Sequence, residues 1–318
     1  MRAMFGPEFA SFDVTTPEGV RIHGTRGGPT ASGASQGPPL LLLHGYPQSH
    51  VLWGPIAREL AAEHTVVATD LRGYGDSDRP PSGDDHAGYS FRAMAADQAA
   101  VMSALGVERF AVVGHDRGAR VAHRLALDSP ERVERLALLD ILPTAYVYSH
   151  VDRTVATAYF HWFLYIQPAD MPERLLASDP LHHLQFLLDA WSGPTGSAGP
   201  GGRSFPADAL AAYERAFADP RARHAMLEDY RAGASIDLEH DAASEAAGQR
   251  IAAPTLVLWG ARGLVGRNRE LHGEDPLEVW RRLAGPGLVT GREIPDAGHF
   301  LAEENHEATL TALRTFLP

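Results

Sequence analysis

Residues 111–120 read Ala-Val-Val-Gly-His-Asp-Arg-Gly-Ala-Arg, with Asp116 centred between Gly114 and Gly118. Small-x-nucleophile-x-small is the spacing of a nucleophile elbow, a sharp strand-to-helix turn that lifts one side chain clear of a sheet. Glycines flank the central residue because a Cβ would collide with neighbouring backbone in so tight a turn. A serine at the centre would attack an acyl carbon. A carboxylate is a poor acyl nucleophile, but it displaces a leaving group from saturated carbon and leaves an ester on the enzyme that water then hydrolyses. The implied chemistry is cleavage of a carbon–halogen bond or an epoxide. The competing reading of Asp116 is an N-cap, since an aspartate ahead of a helix accepts unpaired N–H groups and suits the positive end of the helix dipole.

Other residues fall where such a nucleophile needs partners, at the carboxyl ends of predicted strands. His299 lies in Pro-Asp-Ala-Gly-His-Phe, residues 295–300, after the last strand and one loop before the final helix. Asp140 ends the strand at 135–139. The chain order is then nucleophile, acid, histidine. The position after the penultimate strand, where the acid often stands, reads Gly-Ala-Arg-Gly-Leu at 260–264 and holds no carboxylate, which leaves Asp140 to orient His299. The alternative for Asp140 is a turn cap before Pro143. His44-Gly-Tyr-Pro follows the strand ending at 43, and the backbone N–H groups of Tyr46 and Arg117 are placed to form an oxyanion hole. His44 itself reads as a structural histidine packing its loop.

The elements that must hold these residues are legible as alternation of short apolar runs with helical patterns, the mark of a mostly parallel sheet covered by helices. Residues 9–15 and 20–24 form an opening hairpin, and 27–38, rich in Gly, Ser and Pro, a loop. Buried strands follow at 39–43, 65–69, 110–113, 135–139, 255–259 and 288–294, which makes eight in all. Helices are expected at 53–63, 91–105, 117–129, 277–283 and 304–316. From 144 to 240 strand signals stop, and helical stretches rich in aromatics appear at 156–166, 181–191, 209–218 and 220–232. Residues 1–143 and 241–318 therefore read as the core and 144–240 as an inserted helical lid. A flexible loop at 192–202 interrupts the lid.

At this point the chain resembles the fluoroacetate (haloacetate) dehalogenases, a branch of the α/β-hydrolase superfamily. The matching pieces run through nearly the whole sequence: His44-Gly-Tyr-Pro, Asp70-Leu-Arg-Gly-Tyr-Gly-Asp-Ser-Asp, Gly114-His-Asp-Arg-Gly-Ala-Arg, His161-Trp162, Asp229-Tyr-Arg-Ala-Gly and Gly298-His299. The first two also occur in related epoxide hydrolases and haloalkane dehalogenases, whereas the Asp-Arg-x-x-Arg elbow with a lid His-Trp is more specific. The resemblance implies an α/β-hydrolase fold and a homodimer. It implies that Arg117 and Arg120 grip a substrate carboxylate and that His161, Trp162 and Tyr230 hold the departing halide. The physical reading agrees. Two arginines three apart at a helix start share a face and oppose the dipole, so they need an anion, which a bound carboxylate or a lid carboxylate would supply. Arg124, one turn on, is spaced to pair with Asp128. Indole, phenol and imidazole donors suit a small hydrated anion as it forms. The alternative for the aromatics is ordinary packing of the lid.

Composition narrows the partners. The chain has 318 residues, a formal charge of −12 and no cysteine, which argues against nucleic acid or an anionic membrane surface and excludes disulfides and thiol chemistry. The adjacent pair His182-His183 points to different helix faces, and no structural metal or organic cofactor is expected. The N-terminus lacks the apolar core of a signal peptide and no stretch reaches transmembrane length, so a cytoplasmic location is the expectation. The reading is hydrolytic dehalogenation of a short 2-haloacid. The nearest rival is an epoxide hydrolase using Tyr146, Tyr148, Tyr159, Tyr165, Tyr213 or Tyr230 as lid acids. A non-catalytic receptor on the same fold is the third reading.

Overall fold

The computed structural model of the chain describes residues 2–29, 37–193 and 205–317. Eight strands form one sheet: β1 (Ala10–Thr15), β2 (Arg21–Gly27), β3 (Leu40–Leu43), β4 (Val66–Thr69), β5 (Phe110–His115), β6 (Val133–Leu139), β7 (Thr255–Gly260) and β8 (Val289–Ile294). Their order is β1-β2-β4-β3-β5-β6-β7-β8. The opening hairpin β1–β2 and the β2–β4 contact are antiparallel, and every later pairing is parallel. Every residue of β3, β4, β5 and β7 is buried, which explains their unbroken apolar sequences: helices cover both faces, and neither needs polar residues. The edge strand β1 instead has no buried residue.

The helix Arg117–Asp128 leaves the end of β5 and packs against β5, β6 and the helix Phe91–Ala104. Ser90 caps the latter by accepting the N–H of Ala93. Between β6 and β7 the described residues form eight helices, Thr144–Ser149, Arg153–Ala158, Phe160–Tyr165, Met171–Ser178, Pro180–Trp191, Ala207–Ala218, Pro220–Gly233 and Ile236–Ala246, and a single bridge from Ile251 to Ala284. Two aspartates, Asp179 and Asp219, cap lid helices that open with proline, whose missing N–H costs nothing at a helix start.

Three departures from the sequence expectations bear on the site. The single helix expected at 156–166 is two, because Tyr159 leaves helical geometry (φ −103°, ψ 33°). The break lets Tyr159 stack on Trp162, with centroids 5.4 Å apart and planes 9° from parallel. The helix Ile236–Ala246 runs through residue 240, where the lid was expected to end. The last helix begins at His306 rather than 304, because Asn305 caps it by accepting the N–H of Ala308, and Leu301–Glu304 forms a separate turn. Most of the loops expected at 27–38 and 192–202 lies outside the described residues.

Candidate active site

Asp116 occupies the turn between β5 and its helix with φ 50° and ψ −117°, a conformation a non-glycine residue adopts at a cost of about 1–3 kcal/mol. The flanking glycines make it sterically feasible. A Cβ on Gly114 would lie 2.4 Å from the carbonyl oxygen of Gly118, and one on Gly118 would lie 2.3 Å from that of His44. Although Asp116 sits at the N-cap position, its side chain makes no cap hydrogen bond. The carboxylate turns instead toward the loop after β3, where the Tyr46 N–H donates to Oδ1 at 2.9 Å. The Arg117 N–H stands at the first helical position, where no intrahelical acceptor exists.

Oδ2 of Asp116 faces His299, whose Nε2 is 3.7 Å away. On the other side of the ring, Nδ1 lies 2.6 Å from Oδ2 of Asp140. Asp140 also has positive φ, 53°, and its Oδ1 accepts the Gly260 N–H at 3.0 Å, so it is fixed from two directions. The three residues expected to act together therefore do meet. His44 packs its loop against the one after β4: Nδ1 lies 2.9 Å from the Gly45 carbonyl, Nε2 accepts the Leu71 N–H, and the ring lies 5.2 Å from that of Tyr74.

The electrostatics favour an ionised nucleophile beside a basic histidine. Burial pushes the Asp116 carboxyl up, but His299, His115, Arg120 and Arg117 outweigh it and hold its pKa at about 2. Burial pulls His299 down, yet the hydrogen bond and charge of Asp140 raise it above its ordinary value. His115, whose ring centroid is 4.6 Å from that of His299, is pushed down to about 3, mainly by burial. It stays neutral and donates its Nε2–H to the His299 carbonyl, 2.8 Å away.

A cavity of about 220 Å³ opens onto Asp116 and His299 and is walled by Arg120, Tyr159, His161, Trp162 and Trp191 among others. That is below the roughly 300–1,000 Å³ of drug-sized sites and suits a substrate of a few heavy atoms. His161 is buried, with Nδ1 unpartnered, and burial holds it far below its ordinary pKa, so it offers a neutral N–H. Tyr230 stands one layer back, its ring 5.5 Å from His161 and 6.4 Å from Trp162. Tyr46 shares that layer, 5.3 Å from Tyr230.

The two elbow arginines do not fare alike, contrary to the expectation of a symmetric pair. Arg117 is off the cavity wall, and its Nε donates to Asp229 Oδ2 at 2.9 Å while Nη2 bonds both Oδ1 and the carbonyl of the same residue. Its guanidinium lies against the rings of Phe91 and Tyr230, 4.6 and 4.4 Å from their centroids. The lid carboxylate weighed as an alternative partner is thus present, and only Nη1 is left uncommitted. Arg120 has no carboxylate within salt-bridge distance among the described residues. Nη1 donates to the Leu142 carbonyl and to Thr144 Oγ1, Nε has no partner, and the guanidinium stacks 4.7 Å over Trp162. Arg124 pairs with Asp128 at 3.0 Å, as its spacing implied.

Sequence reading passed over Trp191 and considered Tyr159 only as a lid acid of the rival epoxide chemistry. Trp191 ends a lid helix, its ring is 4.5 Å from His161, and its carbonyl accepts the His299 N–H at 2.8 Å. Neither residue carries a spacing signal, since each reaches the cavity only through the way the lid folds back. Arg262 and Arg267, from the carboxylate-free stretch after β7, also line the cavity.

Residues 38–306 match the α/β hydrolase fold family, and the chain belongs to it. Among its relatives, fluoroacetate dehalogenase from Burkholderia sp. is 44% identical over 282 residues, covering 88% of this chain and 87% of the relative. Soluble epoxide hydrolase from Corynebacterium sp. (strain C12) is 32% identical, over 90% of this chain and 92% of its own length. The crystal structure of ALR0039 from Nostoc sp. PCC 7120 superposes with a TM-score of 0.87 at 50% identity, covering 97% of both chains.

Proposed function

We propose that this chain is a hydrolytic dehalogenase of short 2-haloacids, converting fluoroacetate or chloroacetate to glycolate and halide. The observation that carries the reading is Arg120: a buried cation with no carboxylate partner shares one cavity with an ionised Asp116, and a substrate carboxylate supplies the missing anion. Arg120 grips that carboxylate through Nη2 and Nε, while Arg117, held by Asp229 off the cavity wall, adds only its charge from behind. The grip points the α-carbon at Oδ2 of Asp116 while Oδ1 rests on the Tyr46 N–H.

In the first step Oδ2 attacks the α-carbon, the carbon–halogen bond breaks, and the halide leaves with both bonding electrons toward the N–H groups of His161 and Trp162, with Tyr230 packed behind them. In the second, water adds to Cγ of the Asp116 ester as its proton passes to Nε2 of His299. The oxyanion forms on Oδ1, against the N–H groups of Tyr46 and Arg117. The bond from Cγ to the glycolyl oxygen then breaks, the histidine returns its proton to that oxygen, and the new carboxyl loses a proton to solvent.

The 32% identical relative is by name an epoxide hydrolase. Against that chemistry here, the hydroxyls of Tyr146, Tyr165 and Tyr213 are bonded away from Asp116. The Tyr165 hydroxyl lies 2.8 Å from that of Tyr46 and 2.5 Å from His183, and Tyr213 donates to Glu303. Of the six lid tyrosines, Tyr159 alone is on the wall.

Halide release from fluoroacetate, chloroacetate and a styrene-type epoxide, with diol measured for the last, separates the two. In the dehalogenase reading, Asp116→Asn abolishes turnover, and His299→Asn stops after one halide with an adduct on the Asp116 peptide, read by mass spectrometry. Normal turnover by either variant would end the proposal.

The chain is further proposed to pair with itself through the outer face of the lid. Met171 and Leu175 on one helix and Leu181 and Phe186 on the next are 45–52% exposed, and they are four of the five large exposed apolar side chains among the described residues.

A further inference from the structure

Glu304 touches neither the nucleophile nor the acid, yet it fastens the backbone on both sides of the catalytic base. Its Oε2 accepts the N–H of Gly298 at 3.0 Å, and its Oε1 accepts the N–H of Phe300 at 2.8 Å. Oε2 accepts a third N–H, at 2.6 Å, from Gly193 at the end of the lid segment that carries Trp191. His299 itself donates its N–H to the Trp191 carbonyl. Three consecutive N–H groups, 298 to 300, are therefore all committed, two to one carboxylate and one to the lid. The lid and the base loop meet there backbone to backbone. A Cβ on Gly298 would lie 2.4 Å from the Gly193 nitrogen, and one on Gly193 would lie 2.8 Å from the Gly298 nitrogen.

We propose that Glu304 is a positioning residue for ester hydrolysis, holding His299 where Nε2 can take a proton from water and tying that placement to the lid wall at Trp191. The inference rests on the dehalogenase reading above. Its logic is selective. Halide displacement uses Asp116, the substrate grip and the halide donors, none of which Glu304 bonds, whereas hydrolysis needs the imidazole within hydrogen-bond reach of a water over Cγ. Charge-assisted bonds from three N–H groups make the carboxylate a stiff staple, and its negative charge also favours the protonated form of His299. An uncharged amide cannot reproduce this, since glutamine has one acceptor oxygen and must turn its NH₂ toward at least one N–H donor.

The test is Glu304→Gln with chloroacetate, following a rapid-quench halide burst, steady-state turnover and the adduct on the Asp116 peptide. The burst should remain near one halide per site while kcat falls roughly 10- to 100-fold, the cost of about an ångström of misplacement. Ester should accumulate during turnover, and the acid limb of kcat should move to lower pH, because loss of the Glu304 charge weakens proton binding at His299. The burst amplitude counts folded sites, so misfolding cannot imitate this result. Unchanged kcat with an unchanged pH profile would overturn the proposal, as would burst and turnover falling in equal proportion. A wild-type enzyme that releases halide without any Asp116 adduct would instead remove the reading beneath it, and the assignment of Glu304 with it.

Discussion

Arg117 and Arg120 differ in what each would lose on truncation, although they stand three residues apart on one helix. Arg117 is locked to Asp229, and Asp229 also accepts the Tyr74 hydroxyl at 2.6 Å, so removing the guanidinium strands a buried carboxylate. Arg117→Ala should lower unfolding stability by about 3–5 kcal/mol, read by denaturant titration, in addition to any effect on catalysis. Arg120 meets a carbonyl, a hydroxyl and the face of Trp162 but no carboxylate, so Arg120→Ala strands no buried charge and should lose less stability than Arg117→Ala. It should lose at least about tenfold in kcat/KM for haloacetates, from the roughly 1.5–3 kcal/mol of a charged hydrogen bond at about 1.4 kcal/mol per decade. Equal stability losses in both variants would contradict this division. The pH dependence follows from the histidine. Only neutral His299 removes a proton from water, and Asp140 holds the proton on, so hydrolysis-limited kcat should rise with pH through a pKa above that of an ordinary histidine. Asp116 stays ionised far below that range, so the halide burst should be flat across about pH 5–8. Asp140→Asn removes the partner that raises His299 and should shift the acid limb of kcat downward while lowering its plateau. A limb that stays in place would exclude Asp140 as the cause.

Among the elements, the elbow and the loop after β3 are built against each other. Gly45 lies so close to the nucleophile that a Cβ would come within 2.3 Å of the Asp116 Cβ and 2.7 Å of its Oδ1. Gly45→Ala must therefore push the carboxylate off the Tyr46 N–H or move the loop. Overpacking of this kind costs about 1–3 kcal/mol, a modest part of the stability of a chain this size. The halide burst should suffer more than folding, and a Gly45→Ala enzyme with a full, fast burst would show that the close approach has no catalytic consequence. The lid helices are less regular than their aromatic pattern implies. The break at Tyr159 turns a continuous stripe into two short helices and brings Tyr159, His161 and Trp162 onto one wall.

For the molecule as a whole, lid and core are joined by polar contacts as well as by packing. Tyr213 of the lid donates to Glu303 at 2.9 Å, and Gln48 of the loop after β3 bonds the same carboxyl, whose pKa burial pushes up to about 8. This seam lies one residue from the Glu304 staple, so the base loop is anchored to the lid twice. The lid helices Met171–Ser178 and Pro180–Trp191 carry four exposed apolar side chains, and pairing there would stiffen the helix that ends in Trp191, whose ring walls the cavity. Phe186→Glu, or Leu175→Glu with it, should shift the protein toward monomer in sedimentation or light scattering, because a charge at an apolar contact goes unpaired. Unchanged mass would place the dimer contact elsewhere or exclude it.

The elbow at Asp116, the chain order of residues 116, 140 and 299 that meet there and all eight strands were readable in the sequence because each depends on local rules. A tight turn demands glycines, a doubly covered strand demands an unbroken apolar run, and the ends of parallel strands are where ligands bind. Residues 116, 140 and 299 announce themselves through their neighbours. The fate of Arg117 depends on Asp229, a residue 112 positions away, and no spacing rule reports that the lid returns a carboxylate to that guanidinium. The same holds for Trp191 and Glu304, ordinary residues of helical stretches until the lid is folded back onto the loop of His299. Local chemistry specified which side chains the elbow and the strand ends present. Long-range packing decided which cations remain free for substrate and what holds the base in place.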